Sequence, residues 1–131
     1  MKVKSFRVEK LIRDQVPSLL RAKGIVVHER VMKQEEFIQR LKDKLMEEGE
    51  EVRQAQNTEE LLEELADVLE IIQTLSSAAG LTMDEIERKR IEKRQVKGGF
   101  EEKIFNHRID IEESNQAITY YLNKSSQYPQ T

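Results

Sequence analysis

Five acidic residues carry most of the chemistry this chain could do: Glu47, Glu48 and Glu51, then, after twelve intervening residues, Glu64 and Asp67. In 37–55 the apolar residues Phe37, Leu41, Leu45, Val52 and Ala55 fall on one side of a helix when wound at roughly 100° per residue. Glu48 projects into the middle of that stripe and Glu51 lies along its border. In 61–79 the stripe is Leu61, Leu62, Leu65, Val68, Leu69, Ile72 and Leu75. Glu64 falls between Ile71 and Leu75, with Asp67 one turn along at the flank. Glu50 and Glu63 point outward in the same phase and read as solvated. A carboxylate on a core-facing stripe costs several kcal/mol unless it is protonated, paired or bound to a cation. Two i, i+3 pairs, Glu48 with Glu51 and Glu64 with Asp67, facing inward from neighbouring helices would repel one another. A divalent metal resolves that repulsion. Oxygen ligands without histidine or cysteine suit a hard ion, Mg²⁺ or Mn²⁺. Mg²⁺ keeps several waters and is commonly shared with substrate phosphates, so the expected partner is a phosphorylated small molecule.

The elements that must position these side chains are helices. Val3, Phe6 and Val8 hint at a short strand, and Pro17 opens a short helix that Gly24 closes. Ile25–Val27 is β-branched and reads as extended. A long helix is expected from about Gln34 to Gln56, a second from an N-cap at Thr58 to Ala79, where Gly80 stops it. Thr82 with Glu85 forms a capping box that opens a charged helix over 83–96, ended by Gly98-Gly99. Connections this short pack helices as antiparallel neighbours. The tail carries only a weak amphipathic pattern in Ile109, Ile111, Ala117, Ile118, Tyr121 and Leu122, and 123–131 reads as polar and loose.

Composition removes several classes. The 131 residues suit one modest core. A mean hydropathy of −0.69 and the lack of a long apolar run exclude a membrane span. The first residues lack the apolar stretch of a signal peptide. No cysteine means no disulfide, thiol nucleophile or thiolate metal site, and fits a cytoplasmic protein. A net charge of −3 offers no footprint for duplex nucleic acid, and no Gly-x-x-x-x-Gly-Lys-Ser/Thr loop is present. Ser76-Ser77 read as locally bonded, and His28 and His107 as isolated.

Glu47-Glu48-x-x-Glu51 followed by Glu64-x-x-Asp67 resembles the motif of the all-α nucleoside triphosphate pyrophosphohydrolases, which include MazG-type enzymes, helical dUTPases and phosphoribosyl-ATP pyrophosphohydrolase. Lys10-Leu11-Ile12-Arg13-Asp14-Gln15-Val16-Pro17 and Lys97-Gly98-Gly99-Phe100 are similar to the opening and closing motifs of a phosphoribosyl-ATP pyrophosphohydrolase-like subgroup, so the resemblance covers about residues 6–104. Lys97 stands where that subgroup has arginine, keeping the charge and losing the bidentate fork. The resemblance implies hydrolysis of a nucleoside triphosphate between the α and β phosphates, with Mg²⁺ on Glu48, Glu51, Glu64 and Asp67. Glu47 would orient or deprotonate water, and Lys10, Arg13, Lys93, Arg94 and Lys97 would meet phosphates. Phe100 is expected to close the core rather than stack on a base.

The expected architecture is an all-α bundle around a two-helix hairpin with a short extended N-terminal segment, over 1–105, and a tail of unassigned role over 106–131. One hairpin cannot cover its own apolar stripes, so a homodimer or homotetramer is expected. Two readings compete with nucleotide-pool clean-up. One is phosphoribosyl-ATP hydrolysis in histidine synthesis. The other is a non-enzymatic helical module, whose inward carboxylates would pair with inward lysines or arginines. Lys44 is the one basic residue near the first stripe, and 61–79 contains none.

Overall fold

The computed structural model describes residues 2–131, which hold five helices and no strand. They are α1 (Val16–Ala22), α2 (Gln34–Gln54), α3 (Thr58–Ala78), α4 (Met83–Lys97) and α5 (Ile118–Leu122). The chain divides into two compact units, Met1–Lys93 and Arg94–Thr131.

In the first unit α2 and α3 pack against each other as the expected hairpin. The cap of α3 lies one residue earlier than the spacing suggests. Asn57 Oδ1, not Thr58, accepts the Glu60 N–H at 2.9 Å, in keeping with the higher rank of asparagine at this position. Glu60 replies by accepting the Gln56 N–H at 2.9 Å, so the turn is closed from both sides. At the other end of the hairpin Gln34 Nε2 donates to Ala78 O at 3.0 Å. Leu41 (2% exposed) and Ile71 form the centre of the apolar contact.

The α3 stripe divides in two. Val68, Ile71, Ile72 and Leu75 are buried or half-buried, whereas Leu62, Leu65 and Leu69 are 69%, 49% and 49% exposed. A helix apolar over most of its circumference cannot bury all of it against a single neighbour.

The segment before α1 has no regular secondary structure. The short strand hinted at by Val3, Phe6 and Val8 does not form, because no described residue offers it a ladder partner, and all three are exposed. Pro17 starts α1 and is buried. The link from α1 to α2 is fastened by Arg21 to Glu29 (2.6 Å) and by a two-pronged Arg30–Glu36 pair (2.7 and 2.6 Å). Thr82 Oγ1 accepts the Glu85 N–H at 3.1 Å and starts α4. Gly80 and Gly98, at φ +78° and +80°, take the left-handed conformation that ends α3 and α4.

In the second unit the tail is better organised than its polarity suggests. Tyr121 and Tyr128 pack edge to face at 5.0 Å, Tyr120 lies against both, and Lys124 sits over the Tyr120 ring. No helix of the described residues is long and apolar enough to cross a membrane.

Candidate metal centre

Helical phase brings the acidic residues to the seam between α2 and α3. Glu48 comes from the middle of the α2 stripe and is only 7% exposed. Glu51 stands one turn further on, at the edge, and is exposed, while Glu64, from the second turn of α3, is half-buried. Each offers an oxygen, and the three oxygens lie within 4.8 Å of one another. Glu48 Oε2 and Glu64 Oε2 are shut off from solvent and meet no hydrogen-bond donor. An orphaned carboxylate oxygen is among the costlier things to bury.

The electrostatics record that cost. Close apposition of the Glu51 carboxyl, then burial, then the charges of Glu51, Asp67 and Glu48 push the Glu64 carboxyl up to about 7. Burial first, and then Glu51, raise Glu48 as well, with Lys44 opposing them. Lys44 Nζ is 3.6 Å from Glu48 Oε1, so the inward-lysine pairing foreseen by the helical-module reading is met on one oxygen and leaves the other orphaned.

The flanking acids are held differently. Asp67 Oδ1 accepts from Arg13 Nη2 at 2.7 Å and stands outside the group of three. Glu47 Oε1 accepts from Lys10 at 3.2 Å and Lys44 at 3.4 Å. Burial acts against the charged form of Glu47, but the two lysines outweigh it and hold the carboxyl below its ordinary range. An open cavity of about 280 Å³ adjoins the group, lined by Glu51, Gln54, Ala55, Glu60 and Glu64.

The donor set fits a hard divalent cation. It is all oxygen, converges from two helices, and two of its three carboxylates carry a buried oxygen without a partner.

Of the cations singled out from the sequence, Lys10 and Arg13 reach the acidic seam. Lys93, Arg94 and Lys97 occupy the last turns of α4, where Arg94 pairs with Glu101 at 3.0 Å. The Arg94 and Glu101 side-chain ends lie where a Cβ on Gly99 would stand, and both are flexible and exposed enough to move aside. Phe100, expected to close the core, is 98% exposed, because the chain has already left α4 at Gly98 and packs nothing over the ring. Ser76 donates to Ile72 O at 2.5 Å, the local bond expected for it.

Lys44, the one basic residue near the first stripe, belongs to this acidic seam as well. Its i, i+3 and i, i+4 spacing to Glu47 and Glu48 was the available signal.

Residues 19–95 match the family model of phosphoribosyl-ATP pyrophosphohydrolase. The match takes in all five acidic residues together with Lys93 and Arg94, and stops short of Lys10, Arg13 and Lys97. No curated protein and no solved structure matches the chain.

Proposed function

The chain belongs to the phosphoribosyl-ATP pyrophosphohydrolase family, hydrolases of phosphoric anhydrides, and from that premise we propose that it is a Mg²⁺-dependent nucleoside triphosphate pyrophosphohydrolase. It cleaves the α–β anhydride and yields a nucleoside monophosphate and pyrophosphate, clearing unwanted nucleotides from the cytoplasmic pool. The observation that carries this reading is the convergence of Glu48, Glu51 and Glu64 from the two helices of the hairpin, two of them with a buried oxygen that lacks a partner.

Glu48, Glu51, Glu64 and Asp67 hold Mg²⁺, and Mn²⁺ suits the same oxygens. The ion, when bound, supplies positive charge to the phosphate oxygens and acidifies water. Glu47 acts at the border of the group. Lys10 and Lys44 keep it ionised, so it accepts a proton from water or orients it. Lys10 and Arg13 turn to the substrate phosphates, joined by Lys93. Arg13 contributes a planar fork that a phosphate accepts through two oxygens. The exposed face of α3, Leu62, Leu65 and Leu69, is covered by a second copy in a homodimer or homotetramer.

The family description favours a second reading, phosphoribosyl-ATP as the substrate in histidine synthesis. One panel separates the two. Pyrophosphate release is measured from ordinary and modified nucleoside triphosphates and from phosphoribosyl-ATP, with and without Mg²⁺, for wild type and Asp67→Ala. Mg²⁺-dependent release that disappears in the variant supports the reaction, and the preferred substrate decides between the readings. A folded wild type that releases no pyrophosphate from any of them would return the hairpin to a binding role.

A further inference from the structure

Asp67 completes the i, i+3 pair with Glu64, yet the oxygens that gather within 4.8 Å belong to Glu48, Glu51 and Glu64. Asp67 Oδ1 is taken by Arg13 at 2.7 Å. Arg13 arrives from the segment before α1, and the same segment brings Lys10 to Glu47 on α2 at 3.2 Å. One short stretch of chain therefore bridges the seam, with a cation on an acid of each helix. Its path is set at both ends. Glu9, immediately before Lys10, has φ +49°, a left-handed conformation that a non-glycine residue rarely adopts. Pro17, soon after Arg13, is buried where α1 begins.

A guanidinium cannot lose its proton in a protein. It and a divalent ion therefore exclude each other at the same carboxylate oxygen, by charge and by space. A phosphate offers the guanidinium a better, two-oxygen acceptor. We infer that Arg13 is a positioning residue that holds Asp67 apart from the other three carboxylates until a substrate phosphate draws it away, so that arrival of the phosphate completes the metal site. The inference rests on the metal-site reading given above, and deepens it by coupling the two ligands through one side chain. Arg13 weakens metal binding in the absence of substrate and strengthens substrate binding in the presence of metal. Any such coupling is reciprocal.

The test is a calorimetric titration of Mn²⁺ alone into wild type, Arg13→Gln and Arg13→Lys, with KM and kcat then measured on the best substrate of the panel. Arg21→Gln, which removes a surface cation paired with Glu29, controls for a general loss of positive charge, and circular dichroism checks folding. An exposed pair of this kind is worth about 0.2–1 kcal/mol, so Arg13→Gln is expected to bind Mn²⁺ about 1.4- to fivefold more tightly. Its KM should rise about tenfold, as expected for one lost charge-assisted bond, with a smaller change in kcat. Arg13→Lys should fall between the two, and Arg21→Gln should match wild type. Unchanged or weaker Mn²⁺ binding by Arg13→Gln, or an unchanged KM, overturns the inference and leaves the metal site standing. No Mn²⁺ uptake by any of the proteins removes both.

Discussion

Glu48 and Glu64 sit where the fold would accept leucine, and the penalty appears in their protonation. Both carboxyls are raised, Glu64 to about 7 through the apposed Glu51 carboxyl, burial and the surrounding negative charge. A carboxyl raised on folding takes up protons more readily in the native state than in the unfolded chain. The stability it contributes is complete below its unfolded value and is lost as the pH climbs through the folded one. Without divalent ions the melting temperature should therefore fall between about pH 4.5 and pH 7. Mg²⁺ should restore it most at the alkaline end, and Glu64→Gln should flatten the profile while abolishing the Mg²⁺ response. Thermal melts across that window, with chelator and with Mg²⁺, check all three. Glu47 and Glu50 form a second contrast. Glu47 is tied to Lys10 and Lys44 at the seam, whereas Glu50 is exposed and reaches only Gln54. Replacing a general base of this type lowers kcat by about 10²–10⁴. Glu47→Gln is expected in that range and Glu50→Gln within a factor of about two. A Glu47→Gln variant with wild-type kcat would remove Glu47 from the chemistry.

The two long helices deliver these side chains in register because little else fixes the hairpin. Leu41 is the most buried apolar residue of the described chain at 2% exposure. Leu41→Ala should cost about 2–5 kcal/mol, enough to threaten a domain of ordinary stability. The turn is a separate lever. Asn57→Ala removes the acceptor that caps α3 and should cost about 1 kcal/mol, because Glu60 still holds Gln56 from the other side. Urea titrations of the two variants would show the difference in scale, and equal losses would mean that the turn, not the seam, sets the register. The helix that carries Glu64 and Asp67 also has two apolar faces. One, with Ile71 at its centre, packs on α2, and the other carries Leu62, Leu65 and Leu69, each about half exposed or more. Rigid placement of the acids thus draws on only part of what α3 could bury.

For the molecule as a whole, the uncovered face sets the expectation of self-association. A row of leucines along a helix is the kind of surface that soluble proteins bury against a partner. Leu65→Glu with Leu69→Glu should shift the protein to monomer in sedimentation velocity while leaving helicity intact, since about half of each side chain is already exposed. A wild type that already sediments as a monomer would refute the assembly without touching the metal site.

The sequence alone settled what depends on period and composition. Helical phase placed Glu48 and Glu64 inward and Glu50 and Glu63 outward, and the hairpin, its length and the glycine stops of α3 and α4 follow from the same local rules. Those properties need only neighbours a few residues away. The tertiary structure decided what depends on contacts distant in the chain. It gave Asp67 to Arg13 rather than to the other three carboxylates, and Glu47 to Lys10. It left the N-terminal segment without a ladder and divided the α3 stripe between α2 and solvent. Spacing along one helix shows which way a side chain points, but which partner meets it is fixed only when another segment arrives there.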